Sequence, residues 1–130
     1  MPGFVPERFA PILRDAAQRW NVSAKLLAAQ LYAESGFNPF AVSRAGAQGI
    51  AQFMPGTARA MGLTDSFDPE QAIDAQAHLM RDLLRRFPAI PLALAAYNAG
   101  PNARDVAGMN WAMPWAPARE TANGLKPDSA

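Results

Sequence analysis

The segment that begins at Asp68 constrains the fold more strongly than any other part of this sequence. Asp68 is a favourable helix N-cap, Pro69 suits the first helical position, and Glu70 places an acid in the first turn. These residues predict a long helix that continues to about Phe87. Two arginines in its last turn suit the negative end of the helix dipole.

Apolar residues recur at helical spacing along most of the remaining chain. Ser23 is a suitable N-cap for a second helix, and Gly36 supplies its stop. Valine and isoleucine, which favour strands, are scarce. The sequence therefore predicts an all-α domain with helices at residues 4–20, 24–35, 55–61, 68–87, 92–99 and 102–106.

The segments between these helices carry weaker patterns. Residues 40–49 are rich in small side chains, which predicts a loop or a short irregular hairpin. Residues 50–54 are predicted to form a single turn of helix. Pro88 and Pro91 are predicted to bracket a turn before the last apolar helix.

The size and composition of the chain exclude several classes of protein. Its 130 residues predict a single domain over 1–130, with the core of the domain at about 6–106. A net charge of +1 is too small to indicate a nucleic-acid-binding protein. There is no cysteine, and we interpret the one histidine, His78, as structural. We therefore expect neither a metal nor a cofactor.

The sequence also carries no recognisable targeting or membrane segment. No apolar run approaches the roughly 18 residues of a membrane span. Residues 1–4 lack a basic stretch followed by an apolar one, so no signal peptide is visible. The chain is then either a trimmed domain or reaches its compartment by another route.

Glu34 is the residue whose position is most informative about chemistry. On the second predicted helix it shares one face with Leu27, Gln30 and Leu31. Burial on an apolar face would raise the pKa of a carboxyl and keep it protonated, as a general acid requires. From this pattern alone a structural acid, paired with an arginine such as Arg44, is the commoner alternative.

Three motifs surround and follow Glu34. Residues 34–39 read ESGFNP, residues 43–55 read SRAGAQGIAQFMP with TA at 57–58, and residues 95–101 read AAYNAGP. In order and spacing they resemble the three motifs of the soluble lytic transglycosylase family, which shares the lysozyme-like fold. The resemblance covers about residues 6–106 and implies a lysozyme-like domain with a substrate groove.

The resemblance assigns roles to individual residues. Glu34 matches the family's catalytic acid, and Ser43 matches a serine that binds the sugar acetamido group. The remaining matches are cleft-lining Gln52 and Met54, Tyr97 with its hydroxyl near the catalytic centre, and Asn98 and Gly100 in the adjacent turn. Each has a structural alternative: a turn for Ser43, a solvated helix position for Gln52, and core packing for Met54 and Tyr97.

The C-terminal segment, residues 107–130, departs from the family pattern. Glu120 and Thr121 are present, but the tyrosine and apolar closing helix that should follow are missing or replaced. Glu120 is the candidate for the family's second cleft carboxylate. Trp111 and Trp115 are predicted to pack over the core, with a sugar-binding rim of the groove as the alternative.

The resemblance implies a peptidoglycan lytic transglycosylase that leaves 1,6-anhydro-muramic ends, with Glu34 as both acid and base. Two alternatives stay open at this point. A muramidase like goose-type lysozyme would use water, held by Asp65 or Glu120. A non-catalytic wall-binding module would belong to a phage particle or a secretion apparatus. We expect a monomer that acts on glycan strands in the cell envelope or a phage virion.

Overall fold

The computed structural model describes residues 1–99 of the chain. A short 3-10 helix, Glu7–Phe9, leads into α1 (Ala10–Trp20), and α2 (Ala24–Ser35) follows. The remaining helices are α3 (Pro55–Ala60), α4 (Pro69–Arg86) and α5 (Ile90–Ala99). Within the described residues, extended pairing is limited to isolated bridges. The all-α prediction is therefore confirmed.

The predicted starts of α2 and α4 are confirmed by their caps. The Ser23 hydroxyl accepts a hydrogen bond from the backbone N–H of Leu26 over 3.2 Å. The Asp68 carboxylate accepts one from the N–H of Glu70 over 3.1 Å, and a second, also 3.1 Å, from the side-chain amide of Gln71. The bonds from the backbone N–H groups of Leu26 and Glu70 fix where each helix begins, because the helix itself leaves these groups unpaired.

Prolines account for two errors in the predicted helix boundaries. The first helix does not start at Phe4: Pro6 has the extended angles φ −59° and ψ 139°, and the α-helical ladder begins only at Ala10. The last helix begins at Ile90 and not at Leu92, so that Pro91 lies inside its first turn. A proline has no N–H to donate, and the first turn is where a helix does not need one.

The core of the domain forms where α4 packs between α1 and α5, with α2 against α1. Its largest fully buried apolar side chains are Leu13, Leu27, Leu31, Ile50, Ile73, Met80 and Leu83. At the outer edge of the contact between α1 and α4, the ring of His78 stacks on Trp20 at 4.0 Å between ring centroids. This contact agrees with the structural interpretation of His78.

Several sequence-based predictions fall outside the described residues. They are the short helix at 102–106, the turn residue Gly100, the candidate carboxylate Glu120, and the packing of Trp111 and Trp115. In the part of the chain that the structure describes, no helix combines the length and the apolarity needed to cross a membrane.

Candidate active site

Glu34 lies in the last turn of α2, immediately before the helix ends. Leu27 and Leu31 are fully buried on the same face, Gln30 is 6% exposed, and Glu34 itself is half-buried. The predicted apolar face is confirmed. Gly36 ends the helix in the left-handed region at φ 63°, and its N–H donates to the carbonyl of Tyr32. The acid is thereby presented at the rim of the core by a rigid element.

Ser35, next to Glu34, joins the end of α2 to the following loop. Its hydroxyl donates to the carbonyl oxygen of Ile50 over 2.7 Å and accepts from the N–H of Asn38 over 3.2 Å. The Asn38 side chain in turn accepts from the N–H of Phe40 over 2.9 Å. Ser35 has no role among the predictions from the sequence, although its place beside the acid in the first motif is a signal.

Phe37 anchors the loop that follows α2. Its backbone adopts φ 62°, which is uncommon for a residue with a side chain. The ring is 5% exposed and stacks on Phe9, with 6.2 Å between the ring centroids. Burial of this aromatic ring holds the chain in the turn that leads away from Glu34.

Residues 41–53 form the irregular hairpin that the sequence analysis predicted over a shorter range. Gln48 pairs with both Val42 and Phe53. Gln48 and Phe53 exchange two backbone hydrogen bonds, of 2.9 and 3.2 Å. The predicted helical turn at 50–54 is therefore wrong. Gln52 has φ 55°, and a left-handed residue at this position is incompatible with a right-handed helix.

Ser43 holds the first turn of this hairpin. Its N–H donates to the carbonyl of Ala47 over 2.9 Å, and its hydroxyl oxygen accepts from the N–H of Ala47 over 2.9 Å. Its carbonyl accepts from Gly46 over 3.0 Å. The turn role is thus present in the structure. Because the hydroxyl acts as an acceptor in this bond, its hydrogen can still be directed at another acceptor.

Gln52 fastens the second turn with its side chain. The amide Nε2 donates to the carbonyl of Gly49 over 2.8 Å and to that of Ala41 over 3.1 Å. The alternative of a solvated helix position is therefore wrong for Gln52. Met54, half-buried, is the N-cap residue of α3. Contact of either side chain with a sugar stays a prediction.

Gly49 allows the hairpin to approach the loop before α4. A Cβ atom on Gly49 would lie 1.9 Å from the carbonyl oxygen of Ser66, and the residue has φ 82°. No side chain fits this distance, so the second motif needs glycine here on steric grounds.

Tyr97 connects α5 to the hairpin and to the acid. Its hydroxyl donates to the carbonyl of Ala51 over 3.0 Å, and its ring lies 5.8 Å from that of Phe53 between centroids. Burial raises the pKa of Tyr97 well above its ordinary value of 10.0, and the nearby charge of Glu34 adds to this. The structure thus brings Glu34 and Tyr97 together, and Tyr97 packs with a hydrogen-bonded hydroxyl. Asn98, next on α5, is exposed.

Asp65 is the described acid that the muramidase alternative would use. Asp65 lies in an exposed loop, where its carboxylate accepts from the N–H of Phe67 over 3.0 Å. Among residues 1–99 no three histidine or acidic side chains are gathered closely enough to hold a metal ion.

The profile of the family described as Transglycosylase SLT domain matches residues 11–110. The chain belongs to this family. The SLT match starts inside α1 and includes α2, the hairpin and α5, so that it spans every described element that positions Glu34 and Tyr97.

Two relatives illustrate the range of proteins similar to this SLT chain. Membrane-bound lytic murein transglycosylase F of Desulfosudis oleivorans is 41% identical over 100 residues, which cover 72% of this chain and 22% of the relative. The transglycosylase of Enterobacteria phage PRD1 is 39% identical over 87 residues, 67% of this chain and 33% of the phage protein. The chain thus spans about a fifth to a third of these relatives.

A solved structure is similar to this SLT chain in three dimensions. It is the crystal structure of an inactive glutamate-to-glutamine mutant of lytic transglycosylase Slt from Pseudomonas aeruginosa. The TM-score is 0.63 at 29% sequence identity, and the match covers 74% of this chain and 18% of the other. The fold is therefore the lysozyme-like fold of lytic transglycosylases, as the motifs implied.

Proposed function

We propose that this chain is a peptidoglycan lytic transglycosylase, which cleaves the β-1,4 bond between N-acetylmuramic acid and N-acetylglucosamine. The observation that carries the proposal is the position of half-buried Glu34 at the end of α2, beside buried Tyr97. Partial burial favours the neutral form of a carboxyl, and a neutral carboxylic acid on a rigid helix suits glycoside cleavage. The names of the relatives and the inactive glutamate mutant of the solved neighbour support this function.

In the first step Glu34 acts as the acid. Its proton passes to the oxygen that bridges the two sugars, and the bond from that oxygen to C1 of the muramic acid breaks. The positive charge that develops at C1 is stabilised by the acetamido oxygen of the same sugar. Ser43 orients this acetamido group with its hydroxyl hydrogen, while the N–H of Ala47 holds the hydroxyl oxygen in place.

In the second step Glu34 acts as the base. The carboxylate takes the proton of the 6-hydroxyl, and the oxygen of that hydroxyl bonds to C1. The product is a 1,6-anhydro-muramic end, no water is consumed, and Glu34 regains its proton. Binding of the glycan by Gln52, Met54, Tyr97 and Asn98, and by Glu120, is part of the same proposal.

A single carboxylate suffices for this mechanism because the substrate supplies the second reacting group. A hydrolase would need a further acid or polar group to hold water. Asp65, the candidate from the described residues, already accepts a bond within its own loop. The names of the relatives, which are transglycosylases, favour the lytic reaction over the muramidase alternative.

The expected setting of the reaction follows from the substrate. Peptidoglycan glycan strands are the proposed partner, and we propose that the chain acts on them as a monomer. Relatives include membrane-bound murein transglycosylases and a phage transglycosylase. We therefore place the chain at the cell envelope or in a phage virion.

Clearing of purified peptidoglycan by Glu34→Gln tests the proposal. The variant keeps the shape of the side chain but cannot give up a proton, so we expect lysis to fall by at least about 100-fold. Glu70→Gln, which alters an exposed acid at the start of α4, is the matched control and should keep the parent rate. A folded Glu34→Gln protein that clears more than a few per cent as fast as the parent would exclude Glu34 as the acid.

A further inference from the structure

Two buried glutamines form a pair one helical turn behind Glu34. Gln30 of α2 is 6% exposed, and Gln76 of α4 is 0% exposed. The amide Nε2 of Gln76 donates to Oε1 of Gln30 over 2.8 Å and to the backbone carbonyl of Leu27 over 3.2 Å. Two side-chain amides therefore connect α2 and α4 among the buried residues of the domain.

The carbonyl of Leu27 determines how both amides are oriented. A backbone carbonyl can only accept, so Gln76 must turn its Nε2 towards it. The same Nε2 also faces Gln30, which must then present its oxygen. The two N–H donors of Gln30 are consequently directed away from Gln76.

This arrangement is not an efficient way to stabilise a core. The Oε1 atom of Gln76 is buried and has no hydrogen-bond partner among the described residues. Burying such an oxygen is unfavourable, and an apolar side chain at position 76 would avoid the penalty. A pair that carries this penalty is better explained by what it orients than by the stability it adds.

Helix geometry makes Gln30 and Glu34 neighbours on one face of α2. Residues four apart are neighbours on a helix, with Cβ atoms about 5–6 Å from each other. Long side chains lean towards the N-terminus of the helix, so Glu34 leans over the turn that holds Gln30. Tyr97, a titratable group close to Glu34, gives its own hydrogen to Ala51. That hydrogen is therefore not shared with the carboxylate.

We propose that Gln30, held in orientation by Gln76, is a positioning residue that donates Nε2–H to the carboxylate that Glu34 becomes after protonating the leaving oxygen. The inference rests on the proposed function, because that function makes the Glu34 carboxylate the base of the second step. The bond aims the carboxylate at the 6-hydroxyl of the substrate and stabilises the charged form. Without it Glu34 is a weaker acid and a less well directed base.

The direct test is a titration of the Glu34 side-chain carboxyl by carbon-13 NMR in the full chain, with the signal assigned by its loss in Glu34→Gln. In Gln30→Leu we expect the midpoint to rise by about one pH unit, because a hydrogen bond to the charged form is lost. Gln76→Leu should shift it in the same direction, since it releases the amide of Gln30. The double variant should shift it no further than Gln30→Leu alone.

A control separates this effect from general loss of stability. Leu13→Ala removes a fully buried apolar side chain from α1, which carries neither glutamine, and should lower the melting temperature without moving the midpoint. If a single leucine variant does not fold, the double variant carries the test. It replaces both hydrogen-bond partners with apolar groups, which a core tolerates better than one orphaned amide.

Lysis measured on the same proteins distinguishes the two proposals. Gln30→Leu should clear peptidoglycan more slowly, with the alkaline limb of its pH profile moved upward. If the parent lyses peptidoglycan but the midpoint of folded Gln30→Leu stays within about 0.2 pH units of the parent, the positioning role is overturned. If the midpoint rises while the parent releases no fragments, the hydrogen bond from Gln30 to Glu34 stands and the proposed function fails.

Discussion

The hydroxyl of Tyr97 donates a 3.0 Å hydrogen bond to the carbonyl oxygen of Ala51, which ties α5 to the hairpin. The neighbouring carbonyl, that of Ile50, accepts the 2.7 Å bond from Ser35 at the end of α2. Two consecutive carbonyls of one hairpin therefore accept hydrogen bonds from α2, which carries Glu34, and from α5. The hairpin carries much of the second motif, and this contact explains how the three motifs come to lie together.

Replacing Tyr97 with phenylalanine tests this connection. The change removes only the hydroxyl, and the buried carbonyl of Ala51 loses a donor. We expect the free energy of unfolding at neutral pH to fall by about 0.5–1.5 kcal/mol, measured by urea denaturation. An unchanged stability would show that the bond does not contribute to holding α5 against the hairpin.

Tyr97→Phe also tests how stability depends on alkaline pH. Unfolded tyrosine ionises near pH 10, whereas burial and the charge of Glu34 raise the pKa of folded Tyr97 well above that value. The raised pKa therefore contributes its full share to the free energy of unfolding below about pH 10. This contribution is lost as the pH rises from about 10 towards the pKa of folded Tyr97, by up to about 1.4 kcal/mol per pH unit. Between pH 9 and 11 the parent should lose more stability than Tyr97→Phe. Equal losses of stability in the parent and in Tyr97→Phe would contradict a raised pKa of Tyr97.

Alanine substitutions at Gly49 and Gly46 test whether the hairpin needs glycine for steric reasons, because the two positions differ in the space around a Cβ atom. Both have positive φ, 82° and 97°, but a Cβ on Gly49 would lie 1.9 Å from the oxygen of Ser66, while one on Gly46 would meet nothing within 4 Å. Gly46→Ala should cost about 1–2 kcal/mol through backbone strain alone. Gly49→Ala should be several kcal/mol worse or fail to fold. Equal melting temperatures would show that the approach to Ser66 is unimportant.

Three substitutions of Gln52 separate the effect of its side-chain hydrogen bonds on stability from the effect of its left-handed backbone. In Gln52→Glu the carboxylate would face the carbonyl oxygens of Ala41 and Gly49, to which Nε2 now donates. We expect it to be less stable than Gln52→Ala, which loses the bonds, about 1–2 kcal/mol, without adding repulsion. Gln52→Gly should recover part of that loss, because glycine tolerates the φ of 55°. We expect the melting temperature to fall in the order Gln52→Gly, Gln52→Ala, Gln52→Glu. A Gln52→Glu protein that is the most stable of the three would contradict this explanation.

Local signals in the sequence were enough for part of this fold. The caps at Ser23 and Asp68 act within one turn, so they fixed the starts of α2 and α4. The face of Glu34 also followed from spacing alone, since Leu27 and Leu31 lie on the same helix. The raised pKa predicted for Glu34 stays a prediction.

The hairpin could not be derived in the same way. Nothing near Gln52 in the sequence indicates a left-handed backbone. That conformation depends on bonds to Ala41 and on helices that pack against Ile50 and Ala51 from elsewhere in the chain. The helical turn predicted at 50–54 failed because its determinants are non-local. For the same reason the pairing of Gln30 with Gln76 became visible only in three dimensions.

The most direct measurement is mass spectrometry of the fragments released from purified peptidoglycan in water enriched in oxygen-18. The account predicts 1,6-anhydro-muramic ends that are lighter than reducing ends by one water molecule and carry no label, because the 6-hydroxyl of the substrate attacks C1. Glu34→Gln should release almost none of these fragments. Product ends that are mostly reducing and labelled would show that water is the nucleophile, and would replace the lytic reaction with hydrolysis.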